Sequence, residues 1–209
     1  MGEFRKHRLS RSLSAYNITH NFVVSYIWAV PFDRAFTKLP KRLTQGWAIN
    51  GITRFSGGLP VSIRQGGDYS LTGSGNTDVP NLVGKVVTQD PRKADPTDST
   101  RTNLYFEPEA FGTGPIGQFG NANRQFFHGP GINNTDFGLS KRTLIRESMA
   151  FEFRVEFFNI FNHAQFDNPD GSFICSRQEN PGCDPGTFGQ VTSTRFNGRE
   201  GQVSAKFYW

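Results

Sequence analysis

From Asn21 the sequence NFVVSYIWAV is a nearly unbroken run of β-branched and aromatic residues, closed by Pro31. Such a run over 21–30 predicts a strand. A second strand is predicted over 44–56, where Gly51 suggests a bulge or bend. The final third alternates more regularly. Over 135–141, Phe137 and Leu139 share one side, with Asp136, Gly138 and Ser140 opposite. Over 148–158, Phe151, Phe153, Val155 and Phe157 alternate with Glu152, Arg154 and Glu156. A core-facing helix would space its apolar residues near every 3.6 positions, which these do not. Strands over 187–195 and 201–209, joined by the Asn197-Gly198 turn signal, complete an antiparallel meander. In the last strand Val203, Ala205, Phe207 and Trp209 line one face, and Gln202, Ser204, Lys206 and Tyr208 line the other. The fold class is all-β.

Between these strands, Gly57, Gly58, Leu59 and Pro60 punctuate the chain. A long Gly/Asn/Pro-rich interval follows over 65–132. Structureless connections of that length are uncommon in compact domains, so it is either a functional surface loop or conceals strands.

The alternating pattern fits two architectures: a soluble β domain with a wet face, or a membrane barrel with a polar lumen and a lipid-facing exterior. Composition narrows the choice. Aromatics reach 14% with 21 Phe but only 2 Met, while the hydrophobic fraction is 35%, a balance suited to strands and turns rather than helix bundles. No apolar run approaches the roughly 20 residues a membrane helix needs, so any membrane role runs through strands. Net charge is +5, and the local basic cluster of Arg5, Lys6, Arg8 and Arg11 lacks a nucleic-acid-binding module around it. No nucleic-acid partner is expected. Cys175 and Cys183 lie close together in a Gly/Pro/Asn-rich segment, which suits a local disulfide formed in an oxidising compartment. No metal or cofactor is expected, because the thiols lack paired histidines. His7, His20, His128 and His163 lie apart, and Ser56-Gly57-Gly58 lacks the Gly that a nucleophile elbow places two residues before its Ser. No catalytic residues are assigned. An aromatic-rich soluble alternative is a secreted β-sandwich that stacks sugars on Trp28, Trp47 and Tyr69.

The segment FRVEFFNIFNHAQF, beginning at Phe153, resembles the FRAEFFNLFNHPNF block of Oar-like TonB-dependent receptors, outer-membrane barrels common in Acidobacteria. FGNANR from Phe119, followed by Gly129-Pro130-Gly131, resembles their FGNAGRN…RGPG segment. NTDFGLSK from Asn134 is similar to NWDLSLFK, and FGQVTSTR from Phe188 to FGRITSTR. Upstream, 21–31 and 46–60 resemble FVLSYVWELP and GWQLNGIVTLQSGLP. The matches occur in family order from Asn21 onward, and the ordered set is specific.

The resemblance implies the C-terminal part of a transmembrane β-barrel spanning 1–209. It would lie in the outer membrane of a Gram-negative bacterium, with lipid, the remaining barrel and plug, and through them TonB, as partners. It also implies that Gln202, Ser204, Phe207 and Trp209 form a signal read by the barrel-assembly machinery, with Ser204 in place of the usual Gly. His163 would be a turn hydrogen-bonder. The N-terminus shows no secretory signal, and the chain has room for about 6–8 strands against ~22 in a transporter, so a fragment of a longer receptor is expected. Counting back from a periplasmic Trp209 through the predicted strands puts 65–132 on the periplasmic side unless a further strand is hidden there. Leu104, Tyr105 and Phe106, or Phe126 and Phe127, are the candidates. The same parity places the 162–186 insertion, cysteines included, at the periplasmic end, against the rule of short periplasmic turns.

Overall fold

The computed structural model describes residues 11–75, 78–93 and 102–209. The basic residues Arg5, Lys6 and Arg8 and the histidine His7 lie outside them, as do 76–77 and 94–101 within the long interval. The chain divides into two compact units: one of His20–Ser56, Ile132–Gln165 and Phe196–Trp209, the other of Met1–Thr19, Gly57–Gly131 and Phe166–Arg195.

The first unit is built on a five-stranded sheet. Its strands are β1 (Asn21–Val30), β2 (Trp47–Ser56), β3 (Ile132–Arg146), β4 (Met149–Phe158) and β5 (Glu200–Tyr208). Each pairs antiparallel with its neighbours in chain order, an up-and-down meander. At 9 to 15 residues, each is long enough for the roughly 9–11 that a tilted membrane strand requires. Gly51 makes no bulge. It pairs in register with Tyr26 and Phe137, and a Cβ there would collide with the Tyr26 hydroxyl and lie 2.6 Å from the Asp136 carbonyl oxygen. The glycine makes room for a cross-strand tyrosine ring. The register shift falls instead between Leu144 and Arg146, at the tight turn into β4.

The connections sort cleanly by strand end. Asn21 pairs with Ser56 and Ser56 with Ile132, while Phe158 pairs with Glu200. The two long connections, 57–131 and 159–199, therefore leave and rejoin the sheet at the same end of its strands. The opposite end carries the tight turn after Arg146 and the 31–46 connection, which holds two single-turn helices, Phe32–Ala35 and Lys41–Thr44.

This corrects the strand expected over 187–195, which is not formed; β4 pairs directly with β5. The segment lacks an apolar stripe at period two, and Gly189 adopts φ +86, where a Cβ would sit 2.5 Å from the Phe106 carbonyl oxygen. Removing one strand flips the parity. The hidden strand is no longer needed, and 162–186 moves to the end that carries the long connections. The Asn197-Gly198 turn is not a hairpin loop; Asn197 Nδ2 donates to Glu200 Oε1 at 2.8 Å, where the chain enters β5.

The second unit carries its own core. Val61, Ile63, Phe106, Phe111, Phe173 and Phe188 are fully buried, with Ala110 and Ala122 beside them. Phe188 is the hub, its ring edge-to-face with Phe106 at 5.2 Å and with Phe111 and Phe173 at 5.3 Å. Burying one such side chain contributes about 1.5–3 kcal/mol, and an edge-to-face pair about 0.5–1.5 kcal/mol more. Leu104 is buried in this unit as well, and Phe126 and Phe127 pack on its core. The candidates for a hidden strand are thus core residues of a compact unit. Among the described residues of this unit, regular pairing consists of short ladders, 64–65 with 172–173 and 81–82 with 111–112, and of isolated bridges.

Candidate functional site

The functional surface of the sheet is its pair of faces, set by register. One row crosses all five strands as Trp28, Ile49, Leu139, Val155 and Val203. Neighbouring rows on that face hold Tyr26, Phe137 and Phe157 on one side, and Trp47, Lys141, Phe153 and Ala205 on the other, with the Lys141 ammonium turned onto the Arg42 and Gln45 carbonyls. These aromatics are not covered: Phe22 is 61% exposed, Trp28 57% and Phe207 42%. A soluble sandwich would bury such a face against a second sheet. Left open over five strands, it is far more apolar surface than a soluble monomer exposes, and it suits lipid.

The opposite face is polar and cross-linked over β3–β5, while toward β1 it also carries the exposed Val23, Ile27 and Ile52. Arg154 Nη2 donates to Glu152 Oε1 at 2.7 Å, and its Nη1 lies 3.5 Å from Glu156 Oε1. The β5 side chains complete the acids: Gln202 Nε2 donates to Glu156 Oε2 at 2.6 Å and the Tyr208 hydroxyl to Glu152 Oε2 at 3.0 Å. The cations of Arg142 and Lys206 lie 5.1 and 4.9 Å from the centre of the Tyr208 ring. Nearer the end with the long connections, Arg54, Asn134, Asp136, Asn159 and Glu200 line an open hollow of ≈ 410 Å³. Every charge on this face has an opposite or polar neighbour, the arrangement a water-filled lumen calls for.

The segment after β4 closes the same end of the sheet by side-chain mimicry of backbone. Asn159, at φ +50, donates its amide to the His163 carbonyl at 3.0 Å and accepts the His163 N–H at 2.9 Å. Gln165, 1% exposed, brackets Asn133: its Oε1 accepts the Asn133 N–H at 2.9 Å and its Nε2 donates to the Asn133 carbonyl. Asn162 Oδ1 accepts the Arg199 N–H at 3.0 Å, holding the approach to β5. His163 acts in this turn through its backbone.

The chain matches, over residues 2–202, the family described as an outer membrane beta barrel domain. It belongs to that family. No curated protein and no solved structure matches it. The barrel domain is an outer-membrane structure, and its five-stranded sheet is a stretch of all-β wall. Among the described residues no helix is long and apolar enough to cross a membrane, which leaves the crossing to strands. The sugar-stacking sandwich is not favoured: Trp28 belongs to the open aromatic face, and Trp47 is tied by its indole N–H to the Leu43 carbonyl at 2.8 Å. Tyr69 lies in the other unit.

Of the four C-terminal positions singled out in the sequence, Gln202 and Ser204 lie on the polar face and Phe207 on the aromatic one. Trp209 follows the strand, its ring stacked on Phe207 at 6.3 Å. Cys175 and Cys183 are joined in a disulfide, with Cα atoms 6.3 Å apart. In the same unit, burial pushes the Tyr105 phenol above its ordinary pKa, and its hydroxyl donates to the His128 carbonyl at 3.0 Å. Arg92 holds the carboxyl of Asp90 down at about 2 through a 2.7 Å ion pair. Sequence reasoning missed Gln165 and Tyr208. The available signals were a glutamine two residues past a turn histidine and a tyrosine on the polar face of the last strand, opposite Ala150 and two positions from the partner of Glu152.

Proposed function

We propose that this chain is the C-terminal barrel portion of a TonB-dependent, Oar-like outer-membrane receptor. In the complete protein the barrel would carry energy-coupled transport, and this portion would supply wall, loops and closing strand with no chemistry of its own. The observation that carries the reading is the placement of both long connections at one strand end and the tight turn at the other. Outer-membrane barrels have long extracellular loops and short periplasmic turns. The exposed aromatic face, the paired charges opposite it and the ordered motif resemblance support the same reading. Gln202, Ser204, Phe207 and Trp209 would be the signal read by the assembly machinery. Lipid, the rest of the barrel and the plug would be its partners, and TonB would act through the plug.

Reading the DNA upstream of the Met1 codon tests it. The expected result is an in-frame continuation that encodes a plug, a TonB box and an export signal. A promoter and stop codon immediately upstream would overturn the transporter reading and leave a barrel-family wall without coupling.

A further inference from the structure

The second unit contains a loop whose side-chain oxygens converge. In 68–73 the side chains of Asp68, Ser70 and Thr72 occur at alternate positions, with Gly73 next in line. Oxygen ligands at positions 1, 3 and 5 with Gly at 6 are the spacing by which calcium loops wrap their ion. The geometry matches that spacing. Asp68 Oδ1 accepts the Thr72 N–H at 2.9 Å and Oδ2 the Gly73 N–H at 2.8 Å. Ser70 Oγ lies 3.0 Å from Thr72 Oγ1 and 3.4 Å from Asp68 Oδ1, so three side-chain oxygens meet in one place. Leu71 and Gly73 take φ +59 and +82, the left-handed turns that coil the loop inward.

A separate observation calls for a ligand. Asp78 is 1% exposed, and its Oδ2 accepts the Ser70 N–H at 2.7 Å, which presses the carboxylate against this loop. Its Oδ1 has no hydrogen-bond partner among the described residues. Buried charges are paired or coordinate metals, and a lone carboxylate oxygen in the interior is costly. Among the described residues no three of His, Cys, Asp and Glu converge, so this is no transition-metal cage. Two carboxylates with two hydroxyls make an all-oxygen set, the chemistry of a hard divalent cation.

We propose that residues 68–73 together with Asp78 bind one calcium ion, with Asp68, Ser70, Thr72 and Asp78 as ligands. With only two charged ligands the site belongs to the weak class found in extracellular modules, with Kd about 10⁻⁴–10⁻³ M. That affinity class, though not the site, rests on the extracellular placement proposed above. The occupied loop would fasten a surface unit where calcium is abundant.

The test is calorimetric titration of calcium chloride into the full chain, refolded in detergent and stripped with chelator. One ion per chain is expected, with binding weakened at least tenfold in Asp68→Asn and in Asp78→Asn. If Asp78→Asn fails to refold, the half-exposed Asp68→Asn carries the comparison, with far-UV circular dichroism as its control. Tyr69 sits inside the loop, so terbium bound there should luminesce on tyrosine excitation, and Tyr69→Phe should lose that emission while still binding calcium. No heat up to about ten times the upper end of that Kd range, or binding untouched by both Asn substitutions, overturns the proposal. Neither result bears on the transporter reading, which the upstream DNA decides.

Discussion

At the scale of single residues, position 51 shows how a side chain is traded for its neighbour's ring. Gly51 is buried beneath Tyr26, and an added methyl would meet both that hydroxyl and the Asp136 carbonyl oxygen. Gly51→Ala should therefore cost about 1–3 kcal/mol, read as a lower urea midpoint in detergent refolding. Adding Tyr26→Ala should recover part of it; equal midpoints for single and double variants would assign the whole cost to the Asp136 backbone. Tyr105 offers a pH-dependent case. Burial raises its phenol pKa and outweighs a lowering hydrogen bond from Thr88. A folded pKa above the unfolded value of 10.0 means a contribution complete below that pH and lost as pH climbs through the folded value. Tyrosinate absorbance, wild type minus Tyr105→Phe, should then show a transition above pH 10.0. A transition at or below it would mean that water reaches the ring.

At the scale of strands, the two faces should tolerate charge differently. Phe153 belongs to the aromatic face, whereas Ser25 shares the polar-face row of Ile52 and Asp136. An arginine at the bilayer midplane of a barrel's lipid face costs about 2–4 kcal/mol. Phe153→Arg should thus cut the folded, heat-modifiable fraction sharply while Ser25→Arg, on the face of the Asp136 carboxylate two strands away, leaves it near wild type. Equal losses would mean that the faces are misassigned. Five of the predicted strands were legible for the reason this experiment probes: 21–30, 44–56, 135–141, 148–158 and 201–209 each fall on a sheet strand. Where both faces have a consistent solvent, lipid or water, alternation marks the strand. β3 runs past the predicted segment to Arg146, where the adjacent pair Leu144 and Ile145 between arginines breaks the alternation that marks the rest of the strand. The segment 187–195 misled for the opposite reason. Its β-branched residues suit a strand, but Phe188 and Val191 are buried three positions apart in a loop core that period-two reasoning cannot see. The polar face was visible as charges in Glu152, Arg154 and Glu156, but their partners Gln202 and Tyr208 emerge only once β5 is known to pair with β4.

At the scale of the whole molecule, the decisive quantity is parity. Five strands in chain order put residues 57–131 and 159–199 at one end of the strands and Glu147 at the other. The membrane's asymmetry then assigns the ends, because a long connection with its own buried core has no place among short periplasmic turns. Residues at the tips of the two ends should therefore differ in access from outside the cell. Ile116 is 77% exposed in the long connection, and Glu147 is exposed in the tight turn. Single cysteines replacing each, Ile116→Cys and Glu147→Cys, can be challenged with a membrane-impermeant maleimide in intact cells. The native disulfide leaves no free cysteine to confuse the readout. Ile116→Cys should label in intact cells, and Glu147→Cys only after the outer membrane is permeabilised. The reverse pattern would invert the barrel and place the disulfide-bearing insertion in the periplasm. Labelling of both without permeabilisation would mean that the wall is not inserted at all.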